Sequence, residues 1–204
     1  MKNQHFKYER SFVIIKPDGV QRSLIGEIIG RYERLGLKLI ALKMTIPTRE
    51  MVASHYTIDP EWTRKAGEKS IKNYESKGQV PPEKDPVKVG EKVLGRLVKY
   101  LASGPVVMMV LEGAHVIPIV RKLTGGTEPL SSDVGTIRGD YVMDSYMMSD
   151  GDDRSIRNLV HASGSLEEAE QEINLWFKPE EILQYRHIQE AILYDADLDH
   201  ILGE

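Results

Sequence analysis

His161 stands in a stretch whose residue types could support nucleophilic chemistry. An apolar run ending in Leu159 and Val160 leads into the imidazole, and small residues follow it. The chain then enters an acidic segment that carries Glu172, so a carboxylate is available behind the ring. A neutral imidazole at the end of a strand can act as a nucleophile near pH 7. The pattern also fits a histidine that only completes a structural hydrogen bond, and this stretch taken alone favours that plainer interpretation.

Basic and polar residues elsewhere could bind an anion beside that imidazole. Lys16 follows a predicted strand and precedes a Pro-Asp-Gly turn, at the edge of a sheet where open α/β folds bind ligands. Arg121 ends a predicted helix, and Thr127 and Arg138 lie in a glycine-rich segment. Arginine side chains suit phosphate oxygens, but each of these residues taken singly also fits a solvated surface group. Arg138 fits, in addition, a structural ion pair with Asp140.

Several motifs of known chemistry are absent from the sequence. It holds no G-x-x-x-x-G-K-[ST] loop and no G-x-G-x-x-G segment, which argues against both of those phosphate-binding devices. Cysteine is absent as well, so disulfides, thiolate zinc sites and thiol nucleophiles are excluded. The remaining histidines show no paired metal-ligand spacing, and we interpret them as structural or exposed: His5, His55, His115, His187 and His200.

The composition is typical of a folded chain. Of 204 residues, 41% are hydrophobic and 28% are charged, which fits a single domain over residues 1–204. The net charge of -4 gives no bulk attraction to nucleic acid, so no specific nucleic-acid partner is expected. No apolar run reaches the length of a bilayer span and no leader is visible at the start, so we expect a cytoplasmic protein without a membrane partner.

Hydrophobic periodicity predicts four strands that are connected by helices. The strands are predicted at residues 12–15, 37–44, 105–111 and 155–161. Helices are predicted at residues 25–35, 48–56, 93–101, 116–123 and 165–175, with a final helix that opens at Pro179. This order fits a split βαβ arrangement in an α/β sandwich. It also fits a doubly wound sheet, so the pattern leaves both architectures open.

Two segments depart from this regular pattern. Residues 57–92 are rich in Lys, Glu, Pro and Gly and hold few large apolar residues, which predicts a surface insertion without its own core. Within it, residues 61–77 fit an exposed helix, and residues 79–86 fit a loop with three prolines. Residues 124–154 are rich in Gly, Ser and Asp and predict a long irregular stretch, a feature that is usually functional or mobile.

Four segments together resemble the signature segments of nucleoside diphosphate kinases, in the order of that family. They are residues 16–22 (KPDGVQR), 103–107 (SGPVV), 135–140 (GTIRGD) and 158–163 (NLVHAS), and the resemblance covers residues 10–56 and 93–185. It implies a ferredoxin-like α/β sandwich with a four-stranded antiparallel sheet, a surface insertion at residues 57–92 and a C-terminal extension at residues 186–204. It also implies ping-pong transfer of the γ-phosphoryl group from a nucleoside triphosphate to a nucleoside diphosphate, through a phosphohistidine at Nδ1 of His161.

The same resemblance implies roles for further residues. The family's phosphate-binding positions are matched by Lys16, Arg121, Thr127 and Arg138. Positions near the imidazole are matched by Tyr56, by Ser163, by Asn158 at the ribose and phosphate, and by Glu172, which would orient the ring. Positions at the nucleotide base are matched by Leu97 and Val93. Mg²⁺ is expected as the cofactor, held mainly by the nucleotide phosphates rather than by protein ligands. A homo-oligomer is expected, as a hexamer or else as a tetramer or dimer.

The chain departs from the family at the base slot and in one loop. Val93 occupies the position of an aromatic ring that stacks on the base, and a valine has no π face. We hypothesise that Trp62 or Tyr74 supplies the missing ring. The loop at residues 141–155 is longer than in the family, and its apolar residues 143–148 fit packing on a neighbouring subunit or a flap over the same chain.

A different class of function is a catalytically silent nucleotide-binding regulatory module on the same fold. The presence of His161 together with all of the matching phosphate ligands disfavours this alternative. The base preference stays open, because a largely apolar base slot makes few polar contacts that could discriminate between bases.

Overall fold

The structure is a computed structural model that describes residues 6–76 and 78–194. Its strands are β1 (Glu9–Ile15), β2 (Lys38–Thr45), β3 (Val106–Gly113) and β4 (Val160–Ala162). They form one sheet in the order β2-β3-β1-β4, and every neighbouring pair is antiparallel. This arrangement confirms the predicted ferredoxin-like α/β sandwich. The doubly wound alternative is wrong, because a doubly wound sheet is mostly parallel.

Ten helices connect or flank these strands in the part of the chain that the structure describes. They are α1 (Pro17–Gln21), α2 (Ile25–Glu33), α3 (Arg49–Tyr56), α4 (Trp62–Ser76), α5 (Pro86–Leu101), α6 (Val116–Thr124), α7 (Ile137–Tyr141), α8 (Tyr146–Gly151), α9 (Leu166–Trp176) and α10 (Gln189–Tyr194). Short 3-10 turns lie at Phe6–Tyr8, Pro129–Ser131 and Pro179–Glu181. Over the described ranges, none of these helices combines the length and the apolar character that crossing a bilayer requires.

The core lies on both faces of the sheet, because consecutive residues of a strand point to opposite faces. On β1, Val13 and Ile15 join one cluster with residues of α2 and α6. Phe12 and Ile14 join the other cluster, with residues of α3, α5 and α9. Burial on both faces explains why β1 reads as a continuous apolar run rather than as an alternating one.

Side-chain caps start two of the helices that position functional residues. The hydroxyl of Thr48 accepts from the backbone N–H of Met51 and caps α3. The hydroxyl of Ser165 accepts from the N–H of Glu168 and caps α9. The predicted helices at residues 48–56 and 165–175 are thereby confirmed, since Ser and Thr are preferred at this position.

The fourth strand is shorter than the predicted range of residues 155–161. Leu159 has a φ of 61°, a left-handed conformation that interrupts an extended chain. The Arg138 guanidinium also donates to the carbonyl groups of the residues on both sides of Leu159. Its Nε donates to Asn158 O at 3.1 Å, and its Nη2 donates to Val160 O at 2.5 Å. The φ of Leu159 therefore interrupts the strand, and the Arg138 side chain covers the outer edge of β4, opposite to β1.

Three other predicted boundaries are wrong. The predicted irregular stretch at residues 124–154 contains α7 and α8. Helix α5 begins at Pro86 rather than at residue 93, because Asp85 caps it by accepting from the N–H of Val87 at 2.9 Å. The helix expected from Pro179 is a single 3-10 turn. There the chain turns away to β2, where Leu183 N donates to Ile40 O at 2.8 Å.

Helices α4 and α5 form a hairpin whose backbones meet at two glycines. A Cβ built on Gly67 would lie 1.8 Å from the carbonyl oxygen of Pro86, and one built on Gly90 would lie 1.8 Å from the carbonyl oxygen of Thr63. Only glycine allows this approach. The predicted helix at residues 61–77 is therefore held against α5 by close backbone packing, although it has no separate apolar core; Lys77 lies outside the described residues.

The segment after residue 182 packs back on the sheet. Tyr194 accepts through its hydroxyl from the backbone N–H of Ala114 at 3.0 Å. Lys38 joins Glu190 to Glu112 at 3.1 and 3.3 Å. These contacts attach the described part of the predicted C-terminal extension to β2 and β3, and residues 195–204 lie outside the described residues.

We predict that Gly67→Ala lowers the free energy of unfolding by roughly 1–3 kcal/mol, because the new methyl group forces α4 away from α5. Gly95→Ala is the matched control on α5, since a Cβ there meets nothing within 4 Å. It should be neutral or stabilise by up to about 1 kcal/mol through helix propensity. Urea unfolding measures both variants, and equal effects would contradict the close backbone approach.

Candidate active site

A cleft of about 640 Å³ opens where β1 and β4 meet the ends of several helices. It brings together most of the residues singled out from the sequence. Its lining includes Lys16, Tyr56, Leu97, Arg121, Thr127, Arg138, Asn158, His161 and Glu172. Residues from opposite ends of the chain meet here, because β1 and β4 are neighbours in the sheet.

His161 is held from one side by a buried carboxylate. It lies on β4 opposite Ile14 of β1, and its Nε2 is 2.6 Å from Oε1 of Glu172. Ser163 donates from its hydroxyl to the other carboxylate oxygen, Oε2, at 2.6 Å. The Glu172 side chain is 2% exposed, so its two oxygens are reserved for these neighbours. With Nε2 engaged, Nδ1 is the ring nitrogen that remains for chemistry.

The surroundings of His161 keep its imidazole neutral. Burial is the largest cause that lowers the pKa of His161, and the positive charges of Lys16 and Arg138 lower it further. A neutral ring whose Nε2–H donates a hydrogen bond to Glu172 carries a lone pair on Nδ1. The arrangement therefore has the features of an activated nitrogen nucleophile beside positive charge.

Lys16 is buried at the floor of the cleft, with 5% of its surface exposed. Its Nζ donates to Oδ1 of Asn158 at 2.7 Å, and Asn158 in turn donates from Nδ2 to the carbonyl oxygen of Thr127 at 2.9 Å. Burial, followed by the charge of Arg138, lowers the pKa of Lys16 to about 7. An anionic ligand would reverse this effect, because an opposite charge favours the ammonium form.

Arg138 is both a structural clamp and a source of charge. Besides the carbonyl groups of Asn158 and Val160, its Nη1 donates at 2.9 Å to the carbonyl oxygens of both Gly125 and Gly126. A guanidinium has five N–H donors, so most of them are already committed to backbone. The alternative ion pair with Asp140 is wrong, since that carboxylate contacts Arg31 at 2.7 Å instead.

Arg121 and Thr127 lie at the exposed rim of the cleft. Arg121 comes from the last turn of α6. Both side chains are therefore the first that a ligand entering from solvent would meet, whereas Lys16 and Arg138 line the same cleft but are buried.

Two predicted nucleotide contacts lie elsewhere. Ser163 is fully buried behind Glu172 and does not line the cleft. Its proximity to His161 in sequence was misleading, because Ser163 lies just beyond the end of β4, where its hydroxyl meets Oε2 of Glu172 rather than the cleft. Val93 lines an adjoining, more apolar cleft of about 450 Å³. Trp62 and Leu97 line both clefts, and Tyr74 lines neither.

His55 is a site residue that sequence reasoning missed. It was interpreted as structural or exposed, but it is buried and its ring centroid lies 4.6 Å from that of His161. Within the described ranges, His55, His161 and Glu172 form the one group of three such side chains close enough to share a metal ion. The available signal was its position next to Tyr56, a residue already placed beside the imidazole.

Comparison with known proteins agrees with this architecture. The family model described as nucleoside diphosphate kinase matches residues 9–75 and 86–182. A nucleoside diphosphate kinase from Pyrobaculum aerophilum is 48% identical over 180 residues, which cover 86% of this chain and 98% of that protein. One from Archaeoglobus fulgidus is 40% identical over 187 residues, covering 92% of this chain and 98% of that protein.

Solved structures give the same result. An NDP kinase from Pyrobaculum aerophilum superposes with a TM-score of 0.83 at 46% identity, over 87% of this chain and all of that one. A transition state mimic of nucleoside-diphosphate kinase from Borrelia burgdorferi, with bound vanadate and ADP, gives a TM-score of 0.75 at 36% identity, over 91% and 96% of the two chains.

These matches define the chain as a phosphotransferase that acts on nucleotides. It belongs to the nucleoside diphosphate kinase family. The comparisons give no sign of the catalytically silent role. The two matched ranges leave only residues 76–85 between them, so α4 up to residue 75 lies inside the family model.

We predict that Glu172→Gln stabilises the fold progressively as the pH rises. Burial raises the pKa of Glu172 to about 7 from its ordinary value of 4.5. Between these values the folded protein keeps a proton that the unfolded chain has released, so the contribution of this group to the free energy of unfolding falls with rising pH. A glutamine does not titrate, so its contribution to the free energy of unfolding does not fall in this way. The free energy of unfolding of the variant should therefore rise by about 1–3 kcal/mol relative to the wild type between about pH 5 and pH 8.

Urea unfolding at several pH values measures this difference. Glu170→Gln, on the exposed side of α9, is the control and should show a difference that does not grow through this window. A Glu172→Gln difference that is constant or that reverses sign across the window would show that the buried carboxylate carries no such cost.

Proposed function

We propose that the phosphoryl group passes through Nδ1 of His161. The observation that carries this proposal is the 2.6 Å contact of Nε2 with Glu172, which leaves Nδ1 in a cleft with positively charged walls. The Nδ1 lone pair attacks the γ-phosphorus, and the bond from phosphorus to the β-phosphate oxygen breaks. The nucleoside diphosphate leaves with that electron pair, and a second nucleoside diphosphate takes the phosphoryl group by the reverse step.

Lys16, Arg121 and Arg138 would neutralise the charge that this transfer spreads over the phosphate oxygens. Phosphoryl transfer depends mainly on positioning and electrostatic stabilisation, so preorganised cations are the principal contribution of the protein. Lys16 and Arg138 are buried and fixed by hydrogen bonds. Arg121 and Thr127 at the rim would close on the phosphates after the nucleotide has entered.

Asn158 and Tyr56 would complete the catalytic surroundings. Asn158 already accepts a hydrogen bond from the ammonium group of Lys16. Since Asn158 is also expected to contact the ribose, its side chain would connect the ribose end of the nucleotide site with the phosphate end. Burial raises the pKa of Tyr56, which keeps its hydroxyl protonated and available as a donor. Glu172 would balance the positive charge that develops on His161 when the phosphoryl group arrives.

Mg²⁺ would arrive bound to the nucleotide phosphates. The one three-residue group suited to a metal among the described residues is His55, His161 and Glu172, whose two imidazoles do not match the oxygen ligands that Mg²⁺ prefers. When bound, the ion supplies neutralisation of the β- and γ-phosphate charges. Loss of turnover in EDTA and its recovery with added Mg²⁺ would test this requirement.

The base would stack on Trp62, which takes the place of the missing family aromatic. Trp62 lines the cleft at the start of α4, with its ring 5.6 Å from that of Tyr56. Leu97 and Val93 from α5 would supply the apolar wall. Helix α4 would then contribute directly to nucleotide binding.

We further propose a single domain that assembles into a homo-oligomer, with the hexamer as the expected form. Two apolar surfaces support this proposal. One lies along the edge strand β2 and just beyond it, at Leu42, Met44 and Ile46, and the other lies in the lengthened loop, at Met143 and Met147. Met143 and Met147 are 94% and 79% exposed, so they form no flap over their own chain. Light scattering measures the number of copies, and fluorescence microscopy would test the proposed cytoplasmic location.

We predict that His161→Ala abolishes labelling of the protein by γ-labelled ATP. The label on the wild type should be acid-labile, as a phosphorus–nitrogen bond requires. His115→Asn is the control, because His115 is exposed and has a φ of 52°, a conformation that asparagine tolerates. Its labelling should be unchanged, and label that survives His161→Ala would contradict the assignment of the acceptor.

We predict that Trp62→Ala raises the KM for nucleoside diphosphates roughly fivefold to a hundredfold, equivalent to the loss of one stacking contact. The turnover number should change less, because the base lies away from the reacting atoms. Tyr74→Ala is the control on the same helix, and its KM should match that of the wild type. Equal KM values for both variants would remove Trp62 from the base site.

A further inference from the structure

His55 occupies an unusual position beside the nucleophile. It lies in the last turn of α3 with a side chain that is 1% exposed, and its ring stands at 86° to that of His161. Nδ1 of His55 lies 3.5 Å from Oε1 of Glu172, the same oxygen that His161 contacts. Its Nε2 is buried without a hydrogen-bond partner among the described residues.

Trp176 decides which nitrogen of His55 carries the proton. Its indole Nε1 lies 3.3 Å from Nδ1 of His55, and an indole N–H can only donate. Nδ1 must therefore carry a lone pair, and in a neutral ring the proton lies on Nε2. The ring is neutral because burial, followed by the neighbouring His161, lowers the pKa of His55 to about 3.

The opposite tautomer would suit Glu172 better than the one that Trp176 imposes. An Nδ1–H would point its donor at a buried carboxylate oxygen, whereas the lone pair of Nδ1 meets that oxygen without an attraction. The Nε2–H tautomer also leaves a buried N–H group without an acceptor among the described residues. Buried polar groups are normally satisfied, so this arrangement persists only because the indole donor enforces it.

Helix geometry brings this donor to the site. Glu172 and Trp176 are four residues apart on α9, so they lie on one face of the helix. That face packs on the last turn of α3, where His55 meets both side chains. The indole ring is fixed in turn by stacking on Phe12, with centroids 6.2 Å apart.

We propose that Trp176 is a positioning residue, which holds His55 in the Nε2–H tautomer and thereby reserves Oε1 of Glu172 for His161. The lone pair on Nδ1 of His55 then faces the Glu172 carboxylate and increases the basicity of that carboxylate. Glu172 consequently accepts more strongly from Nε2 of His161, which raises the electron density at Nδ1. This inference rests on the proposed role of His161 as the phosphoryl acceptor.

Trp176→Phe tests the proposal, because it keeps an aromatic ring and removes the donor. In ¹⁵N NMR spectra of the histidine rings, the wild type should show His55 protonated at Nε2. The variant should show a shift of that proton to Nδ1. Single-turnover phosphorylation by ATP, measured by rapid quenching, should slow about fivefold to tenfold, the rate equivalent of one weakened hydrogen bond.

The double variant Trp176→Phe with His55→Phe separates this mechanism from lost packing. Removal of the competing imidazole should make the double variant phosphorylate faster than Trp176→Phe alone. Phe177→Leu is the packing control, since Phe177 contacts Phe12 in the same cluster but donates to neither histidine. It should lower stability and leave the ¹⁵N pattern of His55 unchanged.

Two results would overturn the proposal. One is a His55 proton that stays on Nε2 in Trp176→Phe, and the other is a double variant slower than that single variant. Both results are compatible with a phosphoryl group on His161. Failure of the His161 assignment is detected separately, by label that survives His161→Ala.

Discussion

The buried hydrogen bond between His161 and Glu172 is the interaction on which the site depends. Nε2 and Oε1 are 2.6 Å apart, and the carboxylate is removed from water, which strengthens the electrostatic interaction and makes it costly to leave unsatisfied. It fixes the ring, its tautomer and the direction of the remaining lone pair together. The rest of the cleft is arranged around the nitrogen that this bond leaves free.

Maintaining this bond requires support from three directions. Ser163 accepts from the backbone N–H of Phe12 at 3.2 Å and donates to Glu172, so β1 positions the carboxylate as well as pairing with β4. Helix α9 carries Glu172 and Trp176 on one face, and α3 brings His55 against them. Each supporting group is part of the core, and catalytic geometry and fold stability are therefore coupled.

The cations show the same coupling on the other side of the ring. Arg138 uses its guanidinium to hold the carbonyl groups of Gly125, Gly126, Asn158 and Val160. The guanidinium that would stabilise phosphate also holds the glycine-rich loop and the outer edge of β4. Lys16 is likewise held by Asn158 and lies 5.1 Å from the Tyr100 ring centroid. Preorganisation of this kind means that little rearrangement is needed when a phosphate binds.

The sequence by itself determined the sheet, the main helices and most of the cleft. Apolar runs such as residues 12–15 and caps such as Ser165 act locally, so periodicity and capping rules predict them. Lys16, Arg138 and His161 lie in segments that resemble the signature segments of the family, and this resemblance predicted that they lie close together. The structure places all three in one cleft. The left-handed Leu159 and the shortened β4 were not predictable, because they depend on contacts with segments distant in sequence. The start of α5 at Pro86 was missed, although Asp85 as the cap and Pro86 at the first helical position are local signals.

Tertiary structure alone decided what His55, Ser163 and Trp62 contact. Ser163 looks like a ligand contact in sequence, but just beyond the end of β4 its hydroxyl meets Glu172 and the backbone of Phe12. His55 carries no spacing signal, and it becomes a site residue only because α3 and α9 pack against the same face of β1. Trp62 reaches the cleft because glycines let α4 and α5 approach closely. Local sequence specifies what a side chain can do, whereas packing between distant segments decides which partner it meets.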